Sequence, residues 1–157
     1  MTSWRDRRIL DLFGIEVPII QAPMAGTSTP DMAIAVSEAG GLGSLASAQL
    51  TLDQARKDLA TIRQGTRRPI NVNFFAHKAV AADAAQLAAW RALLAPYYRE
   101  LGLDPEAPVP QINRAPFDDG FAALVEETKP EVVSFHFGLP EQGLLDRVRA
   151  TGAKVYS

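Results

Sequence analysis

The sequence has no cysteine and only two histidines among its 157 residues. The missing cysteines exclude disulfide bonds, thiolate metal sites, iron–sulfur clusters and a cysteine nucleophile. Two histidines leave few ligands for a metal ion, so we predict no metal site. No stretch approaches the roughly 18 apolar residues that cross a bilayer. Residues 1–8 are charged with no apolar run behind them, so we expect no signal peptide, no membrane association and a cytoplasmic location.

An excess of charge of one sign is also missing. Sixteen Lys and Arg stand against eighteen Asp and Glu, which gives a formal net charge of -2. A nucleic-acid-binding surface needs clustered positive charge, so we predict no nucleic-acid partner. With 47% hydrophobic and 22% charged residues, the composition is typical of a globular protein, and 157 residues are about the length of one ordinary domain.

Strand-like and helix-like segments alternate along the chain. Thr29 and Pro30 have the residue types of a helix start, the Gly40-Gly41 pair those of a helix end, and Thr51 with Gln54 forms a capping-box pattern. The apolar runs predict strands at 17–25, 42–47, 69–75, 131–138 and 153–157. The remaining patterns predict helices at 29–39, 51–63, 77–101 (one helix, or two with a bend at Pro96), 118–129 and 141–150.

Apolar strands that alternate with helices predict an α/β fold with a parallel, helix-covered sheet. A doubly wound sheet and a (β/α)8 TIM barrel both satisfy this pattern. A barrel needs about 250 residues, whereas this sequence has four βα units and the first strand of a fifth. Because the last residues form a strand pattern, we expect residues 1–157 to be the N-terminal half of a single barrel domain, with a helical insertion after strand three at about 76–117.

Polar residues recur on one face of the predicted strands. Asn71 and Asn73 alternate with apolar residues in strand three, and Ser134 and His136 do so in strand four. Buried amides and imidazoles need hydrogen-bond partners, and barrel enzymes have their sites at the carboxyl ends of the strands. Each residue alone is explained by bonds to nearby backbone, but their convergence favours a polar ligand. His77 follows strand three, where a solvated loop histidine is the simpler interpretation.

Residues 41–46 match the dinucleotide-binding pattern G-x-G-x-x-A. The pattern here follows a helix and enters a strand, the reverse of the order that places a pyrophosphate at a helix N-terminus. We therefore interpret these glycines as a helix stop and a site of close helix–strand packing.

Four segments, in order, resemble the nitronate monooxygenases, formerly called 2-nitropropane dioxygenases. They are PIIQAPMA at 18–25, GGLGS at 40–44, PINVNFF at 69–75 and VVSFHFGLP at 132–140. The resemblance extends over residues 10–157 and includes the long insertion. It implies an FMN enzyme on a TIM barrel that oxidises alkyl nitronates with molecular oxygen, O2, to a carbonyl compound and nitrite.

The resemblance also implies roles for individual residues. Ala22, Pro23 and Met24 would line the isoalloxazine ring through backbone groups, the Asn73 amide would bond to the flavin, and His136 would lie near the ring or the substrate. The family's catalytic base and its phosphate-binding loops come from the second half of the barrel, so we expect this chain alone to be inactive. Two alternatives stay open: a related FMN barrel such as an enoyl reductase, and a non-catalytic half-barrel that associates with a partner, including a second copy.

Overall fold

The computed structural model describes residues 4–78, 83–108 and 115–157. Two compact units are present, Met1–His77 with Asn113–Ser157, and Lys78–Ile112. The helices are α1 (Arg8–Phe13), α2 (Pro30–Glu38), α3 (Leu52–Gly65), α4 (Ala84–Glu100), α5 (Asp119–Thr128) and α6 (Gln142–Ala150). The strands are β1 (Gly43–Ala46), β2 (Ile70–Phe75), β3 (Val132–His136) and β4 (Lys154–Tyr156).

The predicted helix starts have the expected caps. The Thr29 hydroxyl accepts a hydrogen bond from the Met32 N–H at the start of α2. Thr51 and Gln54 exchange both bonds of a capping box at the start of α3. These side chains satisfy backbone N–H groups that have no partner within the helix, and they fix where each helix begins.

The four strands form one parallel sheet in the order β1-β2-β3-β4. An additional parallel bridge joins Ile20 to Leu42, which places the chain around Ile20 beside β1. The spatial order therefore follows the chain order, with no reversal. A doubly wound sheet reverses its order at a switch point, whereas a (β/α) barrel adds each strand beside the previous one. The observed order favours the barrel arrangement.

The predicted first strand, 17–25, is wrong in extent, because the structure has only the Ile20–Leu42 bridge there. Beyond this bridge, side-chain hydrogen bonds of Gln21 take the place of backbone pairing with β1. The Gln21 Oε1 accepts from the Ser44 N–H at 3.1 Å, and the Gln21 Nε2 donates to the Ser44 carbonyl at 3.3 Å. Pro23 has no N–H to donate to a neighbouring strand, so regular pairing does not continue.

Two further expectations need correction. The fourth predicted strand ends at His136 rather than Gly138, because Phe137 and Gly138 have φ angles of 68° and 95°, which no strand residue adopts. The sequence analysis also missed α1. This helix places Leu10 and Phe13 in a small second core with Leu42 and Val132.

The sheet has two different faces. One face packs against helices α2, α3, α5 and α6 through an apolar core that contains, among others, Leu45, Leu59, Ile62, Val72, Phe74, Leu124, Val133, Phe135 and Val148.

Gly43 contributes the closest helix–strand contact, since a Cβ there would lie 2.0 Å from the Ala33 carbonyl oxygen of α2. Gly40, with a φ of 92°, follows the end of α2. Gly43 of the G-x-G pattern thus has the predicted packing function, and Gly40 of the Gly40-Gly41 pair lies at the predicted helix stop.

The unit Lys78–Ile112 contains α4, a single helix that continues through Pro96 rather than dividing there. Asp83 caps its start through two backbone N–H groups. Its large apolar side chains, such as Trp90 and Leu93, are exposed within the described structure. In the same described part of the chain, no helix is both long and apolar enough to cross a membrane.

Candidate active site at the carboxyl rim of the sheet

The second face of the sheet carries buried polar side chains in register. Ser44 lies opposite Asn71, and Asn73 lies opposite Ser134, so three neighbouring strands contribute to one polar surface. All four side chains are at most 2% exposed. Because strand residues two apart share a face, each of these positions follows from the alternation in the sequence. The polar surface leads toward the carboxyl ends of β2 and β3.

Asn73 joins β2 to β3 and to His136. Its Nδ2 donates to the Ser134 carbonyl at 3.2 Å and to the Ser134 hydroxyl at 2.9 Å. Its Oδ1 lies 3.2 Å from Nδ1 of His136. A carbonyl oxygen only accepts, so the amide nitrogen has to face Ser134 and the amide oxygen has to face His136. A hydrogen bond at this contact requires the proton on Nδ1 of His136, which leaves the lone pair of the neutral ring on Nε2.

An aromatic cluster surrounds His136 where the strands end. The Phe75 ring lies edge-on to the His136 ring at 6.1 Å, to the His77 ring at 6.1 Å and to the Phe137 ring at 5.0 Å, measured between centroids. Phe137 is 69% exposed and has the left-handed φ of 68°. A bulky residue in this conformation is strained, and such strain is found most often at functional sites. The rim therefore combines two imidazoles with an apolar surface.

The segment 22–24 leaves the sheet at the same end. Ser28 holds it in shape: its hydroxyl accepts from the Met24 N–H at 3.0 Å and donates to the Ala22 carbonyl at 3.3 Å. Ala22 and Met24 remain exposed, and Pro23 between them is partly buried. Sequence reasoning missed Ser28, although a serine that ends a Gly-Thr-Ser turn is a residue type known to bond to nearby backbone.

A second polar contact connects β2 with β4. Nδ2 of Asn71 donates to the Ser44 hydroxyl at 3.1 Å and to the Tyr156 hydroxyl at 3.2 Å. Burial raises the pKa of Tyr156 above its usual value, and a hydrogen bond with Ser134 opposes this shift. The Asn71 Oδ1, the Ser47 hydroxyl and Nδ1 of His77 are buried without a hydrogen-bond partner among the described residues. Buried polar atoms without partners are unfavourable, so these three atoms lower the stability of the described part of the chain.

The structure brings together most of the residues that the sequence singled out. Asn73 and His136 are in direct contact, and Ala22, Pro23 and Met24 lie at the same end of the sheet, next to β1. Across the sheet the rim runs from segment 22–24, past the ends of β1 and β2, to His136 at the end of β3.

Comparison with known proteins shows the family of the chain. The sequence model of the nitronate monooxygenase family matches residues 6–156. The chain belongs to the nitronate monooxygenase family. Over 95% of its length it is 43% identical to a nitronate monooxygenase of Paraburkholderia phytofirmans, and over 94% it is 40% identical to one of Pseudomonas aeruginosa. It spans only 41% and 42% of those two relatives.

Two solved structures have a similar fold. A nitroalkane oxidase from Streptomyces ansochromogenes matches with a TM-score of 0.72 and 34% identity, over 94% of this chain and 41% of that protein. A FabK variant from Thermotoga maritima matches with a TM-score of 0.64 and 29% identity, over 94% of this chain and 37% of that protein. The α/β fold and parallel sheet are therefore shared with larger proteins, of which this nitronate monooxygenase family chain covers less than half.

The rim has the bonding groups that suit a flavin ring. A flavin pyrimidine edge alternates hydrogen-bond donors and acceptors, which backbone and amide groups match. Oδ1 of Asn73 keeps one lone pair beyond its bond to His136, because an amide oxygen accepts twice. The Ser28 hydroxyl fixes the backbone of Ala22 and Met24 before any ligand binds. These groups fit the ring system.

Proposed function

We propose that this chain forms the first half of an FMN-dependent (β/α)8 barrel that oxidises alkyl nitronates with O2 to a carbonyl compound and nitrite. Membership of the nitronate monooxygenase family over residues 6–156 carries the proposal. The sequential parallel sheet supports the barrel, since each strand lies beside its predecessor. The relatives' greater length supports the second half, which on this proposal supplies the phosphate-binding loops and the family's base.

The rim residues have separable tasks in this proposal. The backbone of Ala22, Pro23 and Met24 lines one side of the flavin ring, and the free lone pair of Asn73 accepts a hydrogen bond from it. His136 lies beside the ring or the substrate, where Nε2 is the nitrogen that accepts a hydrogen bond. When bound, FMN supplies the electron acceptor for nitronate oxidation. A nitronate is already ionised, so no residue of this chain has to remove its carbon-bound proton.

The first test uses the protein encoded by the complete reading frame. We expect a yellow protein with a flavin absorption spectrum that consumes O2 and releases nitrite from an alkyl nitronate. A parallel assay with reduced nicotinamide and an enoyl thioester tests the enoyl reductase alternative. Colourless protein, or flavin-loaded protein that releases no nitrite, would contradict the proposed activity, and nicotinamide oxidation with the thioester would favour the alternative.

Substitution of Asn73 tests the flavin contact. We expect Asn73→Ala to weaken FMN binding by about fivefold, since a hydrogen bond contributes roughly 1 kcal/mol. Asn71→Ala is the matched control, because Asn71 lies on the same face of β2 but bonds to Ser44 and Tyr156. The control should lower thermal stability and leave FMN affinity unchanged. Equal FMN affinity in wild type and Asn73→Ala would contradict the contact.

The assembly state separates a complete barrel from the non-catalytic half-barrel. In the half-barrel alternative, the chain around Ile20 and the outer edge of β4 have no neighbouring strand among the described residues and favour pairing with a second copy. Size-exclusion chromatography with light scattering measures this. A stable dimer of the 157-residue chain supports the half-barrel that pairs with a second copy, and a monomer contradicts it.

A further inference from the structure

Asn73, Ser134 and His136 form one hydrogen-bonded group across β2 and β3. We propose that Asn73, oriented by Ser134, is a positioning residue that holds neutral His136 in the tautomer protonated on Nδ1, so that Nε2 is the nitrogen presented to a ligand. The statement about the ligand rests on the proposed function. The statement about the tautomer stands independently of it.

The orientation of the Asn73 amide is set by burial. Asn73 is 2% exposed and Ser134 is 1% exposed, so water does not compete for either side chain. A flipped amide would place Oδ1 against the Ser134 carbonyl, and these two acceptors cannot bond to each other. It would also lose the bond from Nδ2 to that carbonyl. At the usual strength of one hydrogen bond, the flipped form is disfavoured by about tenfold or more.

Strand register brings the amide to the ring. Asn73 pairs with Ser134, and Phe75 pairs with His136, so His136 lies two residues further along the same face of the neighbouring strand. A diagonal contact of this kind is within reach of a long or aromatic side chain. The Phe75 ring stands at 82° to the imidazole and limits its rotation. The ring plane and the protonated nitrogen are therefore fixed by different neighbours.

The second nitrogen is the one available at the rim. His136 is exposed, and within residues 4–78, 83–108 and 115–157 Nδ1 is the ring nitrogen with a hydrogen-bond partner. A protonated Nδ1 leaves Nε2 of the neutral ring to accept a hydrogen bond. Nε2 is therefore the nitrogen that can accept a hydrogen bond from a ligand at the rim.

Nitrogen NMR of the unmodified protein measures the tautomer directly. In protein labelled with 15N-histidine, Nδ1 of neutral His136 should have a pyrrole-like shift and Nε2 a pyridine-like shift, with His136→Gln providing the assignment. The opposite pattern would overturn the proposal. This measurement needs neither substrate nor turnover.

Variants then identify which group sets the tautomer. Asn73→Leu has nearly the same shape but no acceptor, and should shift the tautomer ratio toward Nε2–H by about tenfold. Ser134→Ala keeps the carbonyl that orients the amide, and should leave the ratio nearly unchanged. His77 is the internal control, and its shifts should stay constant in both variants. An unchanged His136 ratio in a folded Asn73→Leu variant would contradict the role of Asn73.

Kinetics link the tautomer to the reaction. A glutamine amide reaches the position of Nε2, whereas an asparagine amide reaches only that of Nδ1. We expect His136→Gln to retain at least about tenfold higher kcat on a nitronate than His136→Asn, at similar flavin content. The reverse ranking would overturn the assignment of Nε2. Wild-type protein that has the expected His136 tautomer but does not turn over a nitronate would contradict only the proposed function. Wild-type protein that turns over a nitronate but has His136 protonated on Nε2 would contradict only this inference.

Discussion

Replacement of Gly43 by alanine tests the helix–strand packing beneath the site. An added Cβ would lie 2.0 Å from the Ala33 carbonyl oxygen and 2.6 Å from the Ser37 hydroxyl. Distances below 3.0 Å are essentially never seen for a Cβ. The obstacle is the backbone of α2, which cannot rotate away as a side chain can. We therefore expect α2 to be displaced from β1 by about 1 Å, since overpacked groups relax only by moving.

The magnitude follows from two contributions. Overpacking of a close-packed core costs about 1–3 kcal/mol. The Ser37 hydroxyl also accepts from the Gly43 N–H at 3.1 Å and donates to the Pro69 carbonyl at 3.0 Å. Loss of one such bond adds about 1 kcal/mol. We expect Gly43→Ala to lower the free energy of unfolding by about 3 kcal/mol, which corresponds to a Tm lower by about 6–12 °C.

Urea unfolding followed by circular dichroism measures this difference. Gly143→Ala is the matched control, because nothing lies within 4 Å of a Cβ at this position in α6. The control should be unchanged or up to about 1 kcal/mol more stable, since alanine is the better helix former. Gly65→Ala should fall between the two, because the side chain of Ile34 can move away. A Gly43→Ala variant as stable as wild type would refute the packing argument.

Three further predictions concern titration and the turn at segment 22–24. Arg147 lowers the pKa of Glu126 through a side-chain hydrogen bond. This contact therefore stabilises the fold above the unfolded-state pKa of Glu126, and its contribution is lost as pH falls through the folded-state pKa. Glu126→Gln should reduce the acid sensitivity of Tm. Burial raises the pKa of Tyr156. The stabilising contribution of Tyr156 is therefore present below its unfolded-state pKa and is lost as pH rises through its folded-state pKa. Tyr156→Phe should remove the step at highest pH from a tyrosinate absorbance titration. Ser28→Ala should weaken FMN binding by about fivefold in the complete protein, because the hydrogen bonds to Ala22 and Met24 are lost. Ser28→Thr keeps the hydroxyl and should bind FMN as wild type does.

Local patterns along the chain predicted three of the strands and every helix except α1, although α4 begins at Ala84 rather than at residue 77. The Thr51–Gln54 capping box and the Thr29–Pro30 start depend on residues only a few positions apart, so the sequence contains all the information they need. The first strand failed for the opposite reason. The pairing partner of Gln21 is Ser44, 23 residues away, and no local pattern reveals that a side chain takes the place of a backbone ladder.

The sequence by itself determined which residues share a face. Alternation in β2 and β3 placed Asn71, Asn73, Ser134 and His136 on one side, because strand geometry has a period of two. It did not determine which of these residues bond to one another. Only the tertiary structure decided that the amide of Asn73 faces Ser134 with its nitrogen and His136 with its oxygen. That choice depends on the register between two strands that lie about 60 residues apart along the chain.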